Sequence, residues 1–201
     1  ETVASLSHSI KNILQGLRGG GDVVELGLKK DDLKIAKGGW AILKRNLDRI
    51  VNLTLNMLTF SRQRRVEPEL TKLGPLIDEC LQLVESQARA KQVVLIADVD
   101  KDLPPVMLDP HLMHQSLMNL VTNAVEAVEP NKGVVTVRAG WAGGSVPSGG
   151  STAGASVEIA VIDNGPGIPR GKQAWIFEPF NTTKGVRGTG LGLAVAKRIV
   201  D

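Results

Sequence analysis

Apolar residues over the first sixty positions recur at helical spacing. Leu6, Ile10, Ile13, Leu17 and Val24 advance by four, three, four and seven, and Trp40, Leu43, Leu47, Ile50, Thr54 and Met57 by alternating threes and fours. Such steps line up along one stripe of a helix and mark the seam of paired long helices. Lys29-Lys30-Asp31-Asp32 interrupts the series and predicts a turn. The segment therefore reads as a hairpin of two helices of roughly 25 to 30 residues each. A lone hairpin cannot bury both of its faces, so a second copy is expected to complete a four-helix bundle, making a homodimer. Gly19-Gly20-Gly21 costs about 1 kcal/mol per glycine inside a helix. It predicts either a kink or a local break in the first helix.

The pattern changes near residue 65, and all ten prolines lie beyond that point. The charged stretch from Arg62 to Pro68 marks a boundary between two domains, 1–64 and 65–201. In the second, Leu73 to about Lys91 is amphipathic, with Leu76, Ile77, Cys80, Leu81, Leu83 and Val84 as its apolar content. Val93 to Val99 reads as a strand. Asp109 to Val128 reads as a helix, with Asp109 suited to cap it and Pro110 to its first turn. Gly133 to Trp141 and Ser156 to Asp163 read as strands, joined through 142–155, a Gly-, Ser- and Pro-rich stretch expected to be a flexible hairpin tip. The fold class is α+β.

Composition narrows the function. Of 201 residues, 42% are hydrophobic and 22% charged, ordinary values that exclude a disordered chain. No apolar run reaches the roughly 18 residues of a membrane span, although a longer protein containing this chain can still be membrane-attached. The single cysteine, Cys80, excludes an internal disulfide and suits a reducing, cytoplasmic setting. Aromatics are 3%, with no Tyr, and the net charge is +3. Both argue against a nucleic-acid partner. The chain starts at Glu1 without a signal-type apolar stretch, as expected of a piece cut from something longer.

Three short segments carry candidate chemistry. In Asn119-Leu120-Val121-Thr122-Asn123-Ala124 the two Asn amides are four apart and share a helix face. Uncharged oxygens facing a cleft suit a Mg²⁺ ion that keeps waters and substrate phosphates. In Val161-Ile162-Asp163-Asn164-Gly165-Pro166-Gly167-Ile168-Pro169 a β-branched strand ends on Asp163. A carboxylate at a buried strand end can accept from the exocyclic amine of adenine, and Gly165 and Gly167 let backbone approach a flat ring. In Gly188-Thr189-Gly190-Leu191-Gly192-Leu193 glycines precede an apolar helix. Their exposed N–H groups and the helix dipole suit phosphates. The Gly-Lys-Ser/Thr ending of a P-loop is missing. Each segment alone also reads as ordinary: solvent-facing Asn residues, a strand-to-helix turn, a glycine-rich helix start.

Together with Phe177-Glu178-Pro179-Phe180-Asn181-Thr182-Thr183-Lys184, these segments occur in one order. In that order they resemble the N box, first glycine box, Phe box and second glycine box of the ATP-binding domain of sensor histidine kinases. That domain belongs to the wider group of gyrase, heat-shock-ninety-type chaperones and mismatch-repair ATPases. The resemblance covers about residues 70 to 201 and implies an α/β sandwich that binds ATP. It implies Asn123 as Mg²⁺ ligand with Asn119 nearby, and Asp163 as reader of adenine. Gly165, Gly167 and Ile168 would line the purine, and Phe177 and Phe180 would anchor a lid that contains Thr183 and Lys184. Gly188, Thr189, Gly190, Leu191 and Gly192 would close on the triphosphate. Many relatives carry a basic residue three positions after the second Asn, where this chain has Glu126. Relatives also continue beyond the final helix, so truncation is expected at Asp201.

The hairpin adds a nucleophile. His8 lies about 200° around the helix from Leu6, which points it away from the seam. An imidazole of ordinary pKa, about 6.5, is mostly neutral at pH 7 and offers a nitrogen lone pair. Asn12 follows one turn later on the same face. The hairpin resembles the dimerisation and histidine-phosphotransfer domain of the same kinases, and Ser7-His8-Ser9-Ile10-Lys11-Asn12 resembles its H box. It departs from the usual pattern at Ser9, normally acidic, and at Ile13, commonly Pro. The resemblance implies ATP-dependent phosphorylation of His8 and transfer to an Asp of a response-regulator receiver domain. It places Asn12 where relatives assist dephosphorylation of that partner. Two other classes stay open: an ATP-binding or ATP-hydrolysing conformational switch with an inert His8, and a non-catalytic signalling scaffold. His111 and His114 read as structural or surface residues, and Arg62, Arg64 and Arg65 as a solvated linker.

Overall fold

The structure, a computed structural model, describes residues 2–61, 65–142, 156–184 and 188–201, without the side chains of 2–6, 8, 9, 52, 55, 56 and 58–61. The expected tip at 142–155 lies almost wholly outside the described residues, as do Arg62 and Arg64 of the linker. Two compact units are present, 1–64 with 171–198 and 65–170 with 199–201.

The first unit begins with the expected hairpin, helices α1 (Thr2–Lys29) and α2 (Leu33–Ser61). Their turn falls on the Lys-Lys-Asp-Asp run. Asp31 takes a left-handed φ of 50°. Asp32 Oδ1 accepts from the N–H groups of Lys34 at 2.8 Å and Ile35 at 3.1 Å, capping α2. Helix α1 runs without a break through Gly19-Gly20-Gly21. The reason is tertiary: Gly20 is buried, and a Cβ there would stand 3.0 Å from the Leu43 nitrogen. Gly39 sits opposite, where a Cβ would come 2.8 Å from the Gly20 carbonyl oxygen. Gly16 and Gly27 make equally close approaches to Asn46 and Ala36. The two helices therefore touch backbone to backbone, which compensates the poor helix propensity of glycine.

The expected seam on α2 divides. Leu43, Ile50 and Met57 are partly buried, whereas Trp40 is 63% exposed and Leu47 54% exposed, with Thr54 exposed as well. A step of three residues turns a helix by 300°, so the two sets lie about 60° apart and only one can face α1. Trp40, Leu47 and Thr54 are thus not part of the intrachain seam. With Leu14 and Val51 they form an exposed, mostly apolar flank. Leu6 of the α1 seam has its side chain outside the described residues.

The second unit is an α/β layer pair. Helices α3 (Leu73–Lys91) and α4 (Pro110–Ala127) cover a sheet of order β2-β4-β5, formed by Val94–Val99, Val134–Trp141 and Val157–Asp163. β2 pairs parallel with β4, and β4 antiparallel with β5. Alternate residues of β4, Val135, Val137, Ala139 and Trp141, point into the core, as period two requires. Val135, Val137 and Ala139 share one cluster with Ile77, Cys80 and Val84 of α3 and Leu117, Val121 and Val125 of α4. Burying each such aliphatic side chain contributes about 1.5–3 kcal/mol. Leu83, read as part of the α3 apolar face, is 58% exposed.

A two-stranded ribbon of β1 (Glu69–Thr71) and β3 (Val106–Leu108) completes the unit. No sequence pattern anticipated either strand. Among the described residues, no helix is long and apolar enough to cross a membrane.

Candidate functional site

Asn119 and Asn123 are both half-buried on α4, and the cap that fixes this helix is the expected one. Asp109 Oδ1 accepts from His111 N–H at 3.0 Å and Leu112 N–H at 3.1 Å, and Pro110 opens the first turn. Asp109 Oδ2 also accepts from Glu67 N–H at 3.0 Å, tying the start of the unit to α4. The far end is held by Lys91, whose Nζ donates to the carbonyl oxygens of Val125 at 3.0 Å and Glu126 at 2.8 Å. Glu126 itself is exposed.

Strand β5 delivers Asp163 next to this helix. A Cβ added to Gly165 would stand 3.5 Å from the Ala127 carbonyl, so the glycine turn rests on the last residue of α4, one turn beyond Asn123. Asp163 Oδ1 accepts from Gly165 N–H at 2.8 Å. A carboxylate's second oxygen can take another donor. The strand end is not buried as expected: among the described residues β5 stands at one edge of the sheet, and Asp163 is exposed. Gly167 has a φ of 70°, a left-handed conformation that glycine adopts without strain. Ile168 is 48% exposed beside it.

The residues present fit a nucleotide with its metal on one specific observation. Asn119 Nδ2 is buried without a hydrogen-bond partner among the described residues. A buried amide left unpaired costs about 1–3 kcal/mol, and a ligand that supplies a partner removes that cost. The amide can donate to a phosphate oxygen or, turned over, present Oδ1 to a cation. No cluster of three or more His, Cys, Asp and Glu able to hold a metal occurs among the described residues. Amide oxygens, phosphates and water form a ligand set that Mg²⁺ accepts.

The lid segment and second glycine box belong to the first unit. Asn181 Nδ2 donates to the Trp175 carbonyl oxygen at 3.0 Å and to Glu178 Oε2 at 2.8 Å, clasping the Phe box into a compact turn. Phe180 has a φ of 69°, and its N–H donates to the Gly190 carbonyl oxygen at 2.8 Å. Gly190, at φ 65°, lies so close that a Cβ would meet the Phe180 carbonyl carbon. A Cβ at Gly188 would meet Thr182 Oγ1, and lie 3.1 Å from Lys184 Cβ. Thr189 Oγ1 accepts from Leu191 N–H at 3.5 Å. Helix α5 (Gly192–Val200) follows directly. Phe177 is 38% exposed, Thr183 is exposed, and Leu191 is buried at 1%.

His8 lies in α1, with its side chain outside the described residues, and Asn12 is half-buried one turn later. Of the remaining histidines, His114 Nε2 is 4.0 Å from Glu79 Oε1, too far for a hydrogen bond. Burial and the charge of Glu79 push the Cys80 thiol from 9.0 up to about 11, which makes it an inert core residue.

Sequence reasoning missed the residues that hold these segments in shape. Asn164 Oδ1 accepts from Val134 N–H at 2.8 Å and its Nδ2 donates to Lys132 O at 2.9 Å, locking the turn after β5 onto the start of β4. Asn181 does the same for the lid. An Asn inside a motif was the available signal, but its partners are not visible in linear order.

Residues 108–201 match the family model described as histidine kinase-, DNA gyrase B- and HSP90-like ATPase. The chain is 30% identical to the signal transduction histidine-protein kinase AtoS of Escherichia coli K12, over 100% of this chain and 31% of that protein. It is 31% identical to the sensory histidine kinase/phosphatase NtrB of Azospirillum brasilense, over 97% of this chain and 48% of that protein. The catalytic domain of histidine kinase ThkA superposes with a TM-score of 0.54 at 30% identity, covering 68% of this chain and 80% of that one. ThkA in complex with response regulator protein TrrA gives 0.66 at 24% identity, over 99% of this chain and 55% of that one, a likeness of fold. The chain thus spans a third to a half of the length of these two curated relatives.

Proposed function

The chain belongs to the histidine kinase family, and from that premise we propose that it is the core of a two-component sensor kinase. Residues 1–64 are its dimerisation and phosphotransfer hairpin, and 65–201 its catalytic ATP-binding domain. The observation that carries the reading is the partnerless, buried amide of Asn119 on the face it shares with Asn123, one turn from the glycine turn after Asp163.

In this reading Asp163 accepts from the adenine amine, and Gly165, Gly167 and Ile168 leave room for the ring. Asn119 and Asn123 hold the phosphates and Mg²⁺, which when bound supplies charge neutralisation. The N–H groups of Gly188 to Gly192, at the start of α5, face the triphosphate. Phe177, Phe180, Thr183 and Lys184 close over it. Phosphoryl transfer asks mainly for positioning and electrostatic stabilisation. A neutral His8 nitrogen attacks the γ-phosphorus, a nitrogen–phosphorus bond forms, the bond to the leaving ADP oxygen breaks, and the other ring nitrogen releases its proton. With Ser9 in the usual acidic position, that proton goes to water or to another carboxylate.

The phosphoryl group then passes to an Asp of a response-regulator receiver domain, and Asn12 assists the reverse dephosphorylation. A solved complex of ThkA with such a regulator supports the partner class. The exposed flank of Trp40, Leu47 and Val51 supports a homodimer, acting in the cytoplasm.

Incubation with γ-labelled ATP and Mg²⁺ tests the reading. The label is expected on the protein, acid-labile and alkali-stable, and absent from His8→Gln. Hydrolysis without labelling would instead indicate a conformational switch, and intact ATP binding with neither outcome a scaffold.

A further inference from the structure

The last turn of α4 carries a charge of the wrong sign for a helix end. A helix C-terminus bears partial negative charge and favours basic side chains, yet the last turn of α4 has none. It holds Glu126 instead, which is exposed. Lys91, the last residue of α3, offsets part of the cost by donating to the Val125 and Glu126 carbonyl oxygens at 3.0 and 2.8 Å. That contact serves the helix end and gives the acidic side chain itself no structural purpose. At 100° per residue, Glu126 stands about 20° from Asn119 and about 60° from Asn123 around the helix, one turn beyond Asn123 along it. The three residues form one stripe, turned away from the buried Leu117 and Val121 of the same helix. The end of β5 brings a second carboxylate to this place, because the glycine turn after Asp163 rests on the carbonyl of Ala127, the residue next to Glu126.

This end of the cleft is therefore negative, and so is a nucleoside triphosphate. A divalent cation lying between them turns repulsion into attraction. Asn119 and Asn123 offer only neutral oxygens, whereas Mg²⁺ is commonly held by one or two carboxylates together with substrate phosphates and water.

We propose that Glu126 is the carboxylate partner of the Mg²⁺ that accompanies the nucleotide, and that it makes the site select the metal-bound triphosphate against the metal-free one. This deepens the reading of the Asn119–Asn123 face as an Mg-ATP site and rests on it. Removing the charge weakens the metal-bound complex, and reversing it lets the metal-free nucleotide in.

The test is calorimetry on the full chain with the imido analogue of ATP, whose β,γ bridge resists hydrolysis, in excess Mg²⁺ and again in excess EDTA. No turnover is read. Mg²⁺ is expected to tighten binding to the parent, and Glu126→Gln to cut that enhancement by about tenfold, the scale of one partly screened contact with a divalent ion. Glu126→Lys should bind the metal-free analogue about tenfold more tightly than the parent does. Glu129→Gln makes the same charge change just past the helix, at an exposed residue 3.5 Å from Lys132, and should keep the parent enhancement. Thermal melts check that each variant is folded.

An enhancement in Glu126→Gln equal to the parent's would overturn the proposal, as would an equal loss in Glu129→Gln. A parent that binds the analogue equally well with and without Mg²⁺ leaves the nucleotide site standing and removes the role of Glu126. A parent that binds it under neither condition overturns the ATP-site reading itself, and this proposal with it.

Discussion

Asp109 shows how much one side chain can organise. It caps α4 through two N–H groups and takes a third from Glu67, while only 5% exposed. Asp109→Ala should destabilise the second unit by about 2 kcal/mol, the upper range for a lost cap, read as a lower urea midpoint. The Asp-Pro start made this residue legible in the sequence. Asn164 and Asn181 were not legible, because their roles depend on the folded proximity of Lys132, Val134 and Trp175. Nor was the exposure of Asp163, since nothing in a β-branched run says whether its strand lies at a sheet edge. Cys80 adds a pH dependence. Its folded pKa, about 11, lies above the ordinary 9.0, so the unfolded chain loses the proton first. Stability is unaffected below about pH 9 and falls between about pH 9 and 11. The stability difference between the parent and Cys80→Ala should therefore change over that window and stay flat below it. At about pH 8 the folded thiol should resist a disulfide reagent that attacks it after unfolding.

At the scale of elements, the long helices were readable because their apolar period persists over about five turns in each, whereas the three-residue strands β1 and β3 are too short to show any period. The glycine run was misread because helix propensity is a local quantity and close packing is not. Its three members should separate experimentally. Gly19 and Gly21 face open space, so Gly19→Ala or Gly21→Ala should stabilise the hairpin by about 0.5–1 kcal/mol. Gly20 faces Leu43 and Gly39 faces Val24 and Gly20, so Gly39→Val should cost about 1–3 kcal/mol through overpacking. Thermal melts followed by circular dichroism would give both signs. The division of the α2 stripe was hidden for a related reason. A pattern of threes and fours shows that a helix has partners, but not which side chains meet α1 and which are left for another surface.

For the whole molecule, that leftover surface carries the homodimer proposal. Leu47→Glu with Trp40→Glu would place two charges on the exposed flank without entering the intrachain seam. Light scattering should then report a monomer where the parent gives a dimer, with helix content retained. The order of motifs was enough to read the family from the sequence, and the family model matches residues 108–201, the stretch that holds all four segments. The partition of the core was not readable, because Ile13 and Leu53, which form a buried cluster with Leu191, are separated from it by more than a hundred positions. Cutting the chain after residue 64 would follow the boundary drawn by composition, yet it would strip the lining from a hydrophobic socket. A peptide ending there should bind a reporter dye that the intact protein ignores, and adding back residues 171–198 in trans should quench the glow.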